Sequence, residues 1–512
     1  MRSTVVVGTG PMSIGDVIAV ARGGAPVELS AEAVAAIEAS RAHIERLAVS
    51  GEPVYGVSTG FGALATRYIE PEKRAQLQRS LVRSHAAGSG PCVETEVVRA
   101  LMLLRLSTLA TGHTGVRLST ARAYAALLNA HITPCVPEFG SLGCSGDLAP
   151  LAHCALALMG EGVVDMADGR RLCAAEALAV SEIEPVELAE KEGLALINGT
   201  DGMLGMLVIA IEDLRALVKA ADIAAAMSVE ALLGTDRVFA ADLQTLRPHP
   251  GQAASARNMT KLLAGSGLVA SHRDDDPRVQ DAYSLRCAPQ VAGAVRDTLM
   301  HAEKVAECEL AAAIDNPVVL DDGRVESNGN FHGAPIAYVL DFLAIVATDM
   351  ASMSERRTDR LLDKTRSHGL PPFLADDPGV DSGHMIAQYT QAGIVSEMKR
   401  LAVPASVDSI PSSAMQEDHV SMGWGAARKL RRSVDGLSRV LAIELLSAAR
   451  ALDLRAPLAP APGTASVRDL VREWIAGPGP DRWLAPEIEA AVTLVQDGAV
   501  VSAVERVVGE LE

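Results

Sequence analysis

A chain of 512 residues with 49% hydrophobic but only 3% aromatic residues must build its core from Ala, Leu, Val, Ile and Met, which suit closely packed helices. That length exceeds one hydrophobic core and predicts two or three structural regions. A net charge of -18 argues against nucleic acid or an anionic membrane surface as a partner.

The chain opens on "TVVVGTGPMSIGD" (4 to 16), a strand followed by Gly8-x-Gly10. The third glycine, Gly15, falls too late for a dinucleotide-binding fingerprint, so a plain turn is expected. Val5-Val6-Val7 is too short for a signal-peptide core. No apolar stretch is expected to reach a membrane span. Cys92, Cys135, Cys144, Cys154, Cys173, Cys287 and Cys308 form no CxxC pair and show no disulfide or metal pattern, which fits a reducing cytoplasm. There is no HExxH motif to hold zinc. The sequence therefore predicts a soluble cytoplasmic protein without a metal.

Residues 1–199 mix short helices with Gly-rich turns, among them "GSLGCSGDLAPLAH" (140 to 153). Its plainest reading is a flexible loop whose Asp147 caps the following helix, with Pro150 in the first turn. From Thr200 to Leu233 there is no proline and the helical wheel is apolar almost all round. That predicts a rod of roughly 50 Å at about 1.5 Å per residue, buried on several sides. Further long helices are predicted over 291–314, 336–362, 385–401 and 421–454. The basic run Arg428-Lys429-Leu430-Arg431-Arg432 reads as a solvated helix face. "APLAPAPG" (456 to 463) reads as a linker. The expected architecture is mainly all-α: a Gly-rich N-terminal region (1–199), a long antiparallel central helical bundle (200–456) and a small C-terminal region (457–512). Apolar faces this broad imply self-association.

A second reading of Cys144-Ser145-Gly146 is backbone chemistry. Glycine leaves room for the Gly146 nitrogen to approach the carbonyl carbon of Cys144. Loss of one water closes a five-membered ring, and loss of a second from Ser145 leaves an exocyclic methylene. The product is an electrophile made from the chain itself. An adjoining helix N-terminus would favour negative charge developing on it.

That loop resembles the prosthetic-group loop of the aromatic amino acid ammonia-lyases. The resemblance runs over nearly the whole chain, through "VYGVSTGFG" (54 to 62), "SLVRSHAAGSG" (80 to 90), "KEGLALINGT" (191 to 200), "VQDAYSLRCAPQ" (279 to 290), "DNPVV" (315 to 319), "GNFHG" (329 to 333), "LPPFL" (370 to 374) and "SVDSIPSSAMQEDHVSMG" (406 to 423). It implies that Cys144, Ser145 and Gly146 become methylidene-imidazolone (MIO), with no external cofactor. The family usually has alanine where Cys144 stands. Only the carbonyl of that residue enters the ring, so the chemistry is expected to survive.

The resemblance also implies roles. Tyr55, in a Gly-rich loop, is similar to the family's base. A phenol titrates near about 10, so its pKa would have to be lowered locally. Arg286 would hold the substrate carboxylate with its planar fork. Tyr283 would contact the prosthetic group and the departing amine. Asn198 would hydrogen-bond the prosthetic group, and Gln280 and Phe331 would line the site. His85 and Glu417 would face the substrate ring. A carboxylate aimed at an imidazole suits L-histidine, whereas a phenyl ring would leave it unpaired. In isolation, Glu417 reads as a helix-capping acid and His85 as a core histidine bonded to backbone.

The expected activity is non-oxidative deamination of L-histidine to trans-urocanate and ammonia, the first step of histidine breakdown to glutamate. A homotetramer with shared active sites is implied. The alternatives are a tyrosine or phenylalanine lyase or aminomutase, and a catalytically silent helical assembly.

Overall fold

In the computed structural model, residues 3–49, 59, 68–274, 276 and 278–512 are described. Tyr55 lies outside them. Five long helices stand where the apolar periodicity puts them: Asp201–Ala231, Ala288–Leu310, Ala334–Leu362, Met385–Leu401 and Gly423–Leu454. The strands among the described residues are short, and no sheet exceeds three of them. Ala, Leu, Val, Ile and Met dominate the buried set, as the scarcity of aromatics requires.

The chain gathers into two compact units, each assembled from three stretches. The first holds residues 1–209, 303–340 and 404–428. The helix Thr95–Ala110 is at its centre, buried without interruption from Val97 to Ala110. Helices Ile14–Ala21, Ala31–Val49, Leu118–Asn129 and Leu148–Leu158 pack on it. The N-terminal strand Val5–Val7 pairs in parallel with Val27–Leu29 alone. Ser13 and Asp16 form a capping box that starts the next helix. The early glycines thus belong to a plain turn.

Cys92 and Cys135 are joined in a disulfide. They lie 43 residues apart, and the pairing of Ser89–Cys92 with Pro137–Phe139 brings them together. No local spacing motif announces such a contact. The cysteine content therefore no longer argues for a reducing compartment.

The second unit holds residues 210–302, 341–403 and 429–512. Glu444 sits in its interior, taking a bidentate pair from Arg357 at 2.5 and 2.8 Å and a hydrogen bond from Ser228 at 2.7 Å. Asp222 collects Arg296, Ser255 and Asn258 in the same way. Glu230 receives the Ala461 N–H and the Thr464 hydroxyl, which ties the helix Pro462–Trp474 to this unit.

Directions in this bundle are mixed. Helix Met385–Leu401 runs against its neighbours, as Thr348 reaches Met398 while Gln391 reaches Ser354. Asp213–Arg431 and Ser228–Glu444 keep the same order along Asp201–Ala231 and Gly423–Leu454, so those two helices run in parallel. Short connections enforce antiparallel neighbours, and these helices are far apart in sequence.

Two sequence expectations need correction. The basic run is a solvated face only at Arg432. Arg428 meets Glu94 and Glu138 in the first unit, and in the second Lys429 meets Asp341 and Arg431 meets Asp213. Arg428, Lys429 and Arg431 are each at most 19% exposed, whereas Arg432 is exposed. Among the described residues one helix, Ala334–Leu362, is long and apolar enough to cross a membrane, with a mean hydropathy of 1.6 over its best window. Most of that window (61%) is buried inside the protein, as in a core helix.

Glu444→Gln should destabilise the protein by about 3–5 kcal/mol, because it strands the buried Arg357 guanidinium. Chemical denaturation of both proteins measures this.

Candidate active site

The loop 140–147 is a compact turn. Gly143 and Gly146 pair across it, and Gly143, Ser145 and Gly146 all have left-handed backbone, at φ 82°, 50° and 80°. That conformation is ordinary for glycine and costly for serine. Something must therefore hold Ser145 there. The holding surface is the backbone at Gly199: Gly146 pairs in parallel with it, and the Asp147 N–H donates to its carbonyl at 2.7 Å. A Cβ on Gly146 would fall 2.0 Å from that carbonyl oxygen. No other residue fits.

Asp147 was expected to cap its own helix, Leu148–Leu158, yet its side chain makes no bond there. Instead one oxygen accepts from the Met203 N–H at 2.9 Å, and the other from Ser141 at 3.1 Å. Met203 is in the first turn of Asp201–Ala231, so Asp147 caps the long helix and ties the turn to it. The residue is fully buried. Burial lifts its carboxyl to about 7, Asp201 adds to the rise, and the Met203 and Ser141 bonds oppose it.

Beneath this turn lies a buried charge cluster that sequence reasoning missed. Arg105 donates to the carbonyls of Ala195, Asn198 and Ile314 and pairs with Asp201 at 3.4 Å. Burial raises the Asp201 pKa, against the Arg105 charge. Lys191 pairs with Asp315 at 2.5 Å. Asn198, immediately before Gly199, is buried and donates to the Asn316 carbonyl at 2.7 Å. Both chain stretches flanking Asn198 are thereby fixed.

On the other side stands the segment that carries Glu417. Met422 N–H donates to the Leu142 carbonyl at 3.0 Å, and a Cβ on Gly143 would meet the Ser421 hydroxyl. Ser412 and Glu417 pair through their backbones, and the Ser412 hydroxyl donates to Glu417 at 2.9 Å. Since that hydroxyl proton is committed to the carboxylate, the Cys144 thiol donates to Ser412 oxygen, at 3.1 Å. Burial pushes the Cys144 pKa up, and Glu417 adds to it. One serine thus separates Glu417 from the first residue of the triad. The sequence does not single out Ser412, because "IPSSAMQEDH" reads as a polar loop; its place five residues before Glu417 is the available signal.

Phe331 is half-buried in the same unit, beside His332, whose ring stacks on His419 at 5.5 Å. His85 ends the helix Pro71–His85, which packs on Leu148–Leu158. Its Nδ1 donates to the Leu81 carbonyl at 2.9 Å. Gln280, Tyr283 and Arg286 belong to the second unit. Tyr283 is exposed, with the Arg286 guanidinium 4.6 Å above its ring. Arg286 donates to the Asp281 carbonyl at 3.0 Å and, with Gln280 and Asp281, lines a cavity of about 510 Å³. The first unit therefore brings together Cys144, Ser145, Gly146, Asn198 and Glu417. Among the described residues, no cluster could hold a metal ion.

The profile of the aromatic amino acid lyases matches residues 12–473. A histidine ammonia-lyase of Streptomyces avermitilis is 69% identical over 99% of both chains. Among solved structures, the tyrosine aminomutase of Streptomyces globisporus superposes with a TM-score of 0.94 at 39% identity, over 100% of both chains. Histidine ammonia-lyase from Trypanosoma cruzi gives 0.91 at 39% identity, over 98% of this chain and 95% of that one. The chain belongs to the aromatic amino acid lyase family and is a carbon–nitrogen lyase.

The pKa of Asp147 has a consequence for stability. Its folded value of about 7 lies above the ordinary 3.8, so the native state binds the proton more tightly than the unfolded chain does. This contribution is complete below the ordinary value and is lost as pH rises through about 7. At about 1.4 kcal/mol per unit, wild type should lose about 3 kcal/mol relative to Asp147→Asn between about pH 4.5 and 7.5. Denaturation of both proteins across that range measures the difference.

Proposed function

We propose that the protein is a histidine ammonia-lyase, converting L-histidine to trans-urocanate and ammonia at the start of histidine breakdown. The observation that carries this reading is Glu417, held by Ser412 one hydrogen bond away from Cys144. A fixed carboxylate beside the loop offers an acceptor to an imidazole N–H. A phenyl ring would leave it unpaired. The 69% identity to a histidine ammonia-lyase supports the same substrate. Fold alone does not discriminate, since a tyrosine aminomutase superposes as well.

The triad suits the family's MIO group. Gly146 is pressed on a backbone that tolerates no Cβ, and Ser145 is held in a left-handed turn. Cys144-Ser145-Gly146 would hold the group, and its chemistry would be that of an electrophile drawing electrons from the substrate. In the reaction Arg286 clamps the substrate carboxylate and Tyr283 meets the departing amine. Tyr55 removes the β-proton, while Glu417 and His85 orient the imidazole. Asn198 hydrogen-bonds the group, and Gln280 and Phe331 line the pocket.

The reading includes a homotetramer whose active sites are shared between subunits. Its support is an exposed apolar stripe on helix Ala334–Leu362, formed by Tyr338, Phe342 and Ile345 at helical spacing. Ile386 and Tyr389 extend such surface on Met385–Leu401.

A charge-assisted hydrogen bond contributes about 1.5–3 kcal/mol. Glu417→Gln should therefore lower kcat/KM for L-histidine by about tenfold or more. Following urocanate absorbance with histidine, and the matching products with tyrosine and phenylalanine, tests the reading. Unchanged histidine turnover in the variant, or faster turnover of tyrosine by wild type, would overturn it.

A further inference from the structure

A second cavity shares no residue with the candidate active site. It has a volume of about 530 Å³ and lies in the first unit, lined by Thr95, Arg99, His131, Thr133, Asp165 and Arg171 together with the 166–169 turn. That volume is ample for a small metabolite.

Its distinguishing member is Arg99, only 4% exposed. Nε donates to the Val20 carbonyl at 3.1 Å and one terminal nitrogen to the Leu128 carbonyl at 3.2 Å. Both acceptors are neutral. The other terminal nitrogen, Nη2, is buried and has no hydrogen-bond partner. Among the described residues, no carboxylate pairs with this guanidinium, and burial pulls its pKa down with nothing opposing. Buried Arg105, Arg296 and Arg357 each meet an Asp or Glu, whereas Arg450, like Arg99, rests on carbonyls but does not line this cavity. An unpaired buried cation is costly, and one on a cavity wall calls for a mobile counter-charge.

The remaining walls agree with that sign. Arg171 and Asp165 bind each other at 2.7 and 2.9 Å, so their charges cancel and Arg99 stays in excess. Thr95 opens the sixteen-residue helix Thr95–Ala110, whose N-cap residue Glu94 gives no side-chain cap bond. The two acids at that end, Glu94 and Glu96, are paired with Arg428 and Arg22, so they leave the Arg99 charge uncompensated. Thr95, Thr133 and His131 supply side chains able to hydrogen-bond an anion.

We propose that this cavity binds a small oxyanion, a carboxylate or a phosphate, with Arg99 as its fixed counter-charge and Thr95, Thr133 and His131 as polar walls. The site is separate from substrate binding and independent of the reading above.

Titration calorimetry of the full-length protein tests it, with inorganic phosphate and with acetate at constant ionic strength set by sodium chloride. An Arg286→Met background keeps uptake at the candidate active site from being mistaken for it. Saturable binding of at least one probe, one per chain, is expected; which probe binds identifies the phosphate or carboxylate class. Arg99→Met should weaken it by about tenfold or more, and Thr133→Val severalfold. Arg170→Gln, an exposed arginine outside the lining, should bind as wild type does. Should Arg99→Met fail to fold, Thr133→Val decides. No saturable binding of either probe, or affinity unchanged in the folded lining variants, overturns the proposal.

Discussion

The contact between Gly146 and Gly199 is the constraint on which the site depends. Two backbones meet with no side chain between them, closely enough that a Cβ on Gly146 would overlap the Gly199 carbonyl. A Cβ on Gly199 would in turn strike Asp201 and Arg105, at 2.3 and 2.8 Å. Such proximity lets ordinary backbone hydrogen bonds hold Ser145 in a conformation that serine avoids. Strain of this kind persists only where the surroundings over-determine it. Here Asp147 adds a side-chain tie to the same helix N-terminus.

Electrostatics underneath serve the same purpose. Arg105, Asp201, Lys191 and Asp315 are fully or almost fully buried, and the two cations grip the backbone or carboxylates on both sides of Asn198. Paired charges at this depth are poor sources of stability but good sources of definition, since each has few alternative partners. The result is a rigid floor beneath the triad. Above it, the 412–422 segment is fastened at Leu142 and Cys144. Glu417 is therefore positioned from the triad itself as well as from its own loop.

Much of this was legible in the chain. Long helices announce themselves because an apolar wheel without proline has few other solutions, and the boundaries of Met385–Leu401 agree to the residue. The glycine spacing of 140–146 marked a turn under unusual demand. What the sequence could not reveal depends on distant partners. Asp147 looks like a cap for the helix it precedes, but its hydrogen-bond partner lies 56 residues on. The basic run at 428–432 looks solvated until acids from elsewhere arrive. Cys92 and Cys135 meet only through strand pairing. Arg105 is one arginine on an apolar helix, and nothing near it in sequence shows what it holds.

We propose that docking on Gly199 shapes the Cys144–Gly146 turn for cyclisation. The most direct measurement is the mass of the peptide containing residues 144–146 from wild type and from Gly199→Ala, with circular dichroism to establish that both are folded. The wild-type peptide should be lighter by two waters, and the peptide of the folded variant should largely keep them. A folded Gly199→Ala protein dehydrated to the same extent as wild type would contradict it.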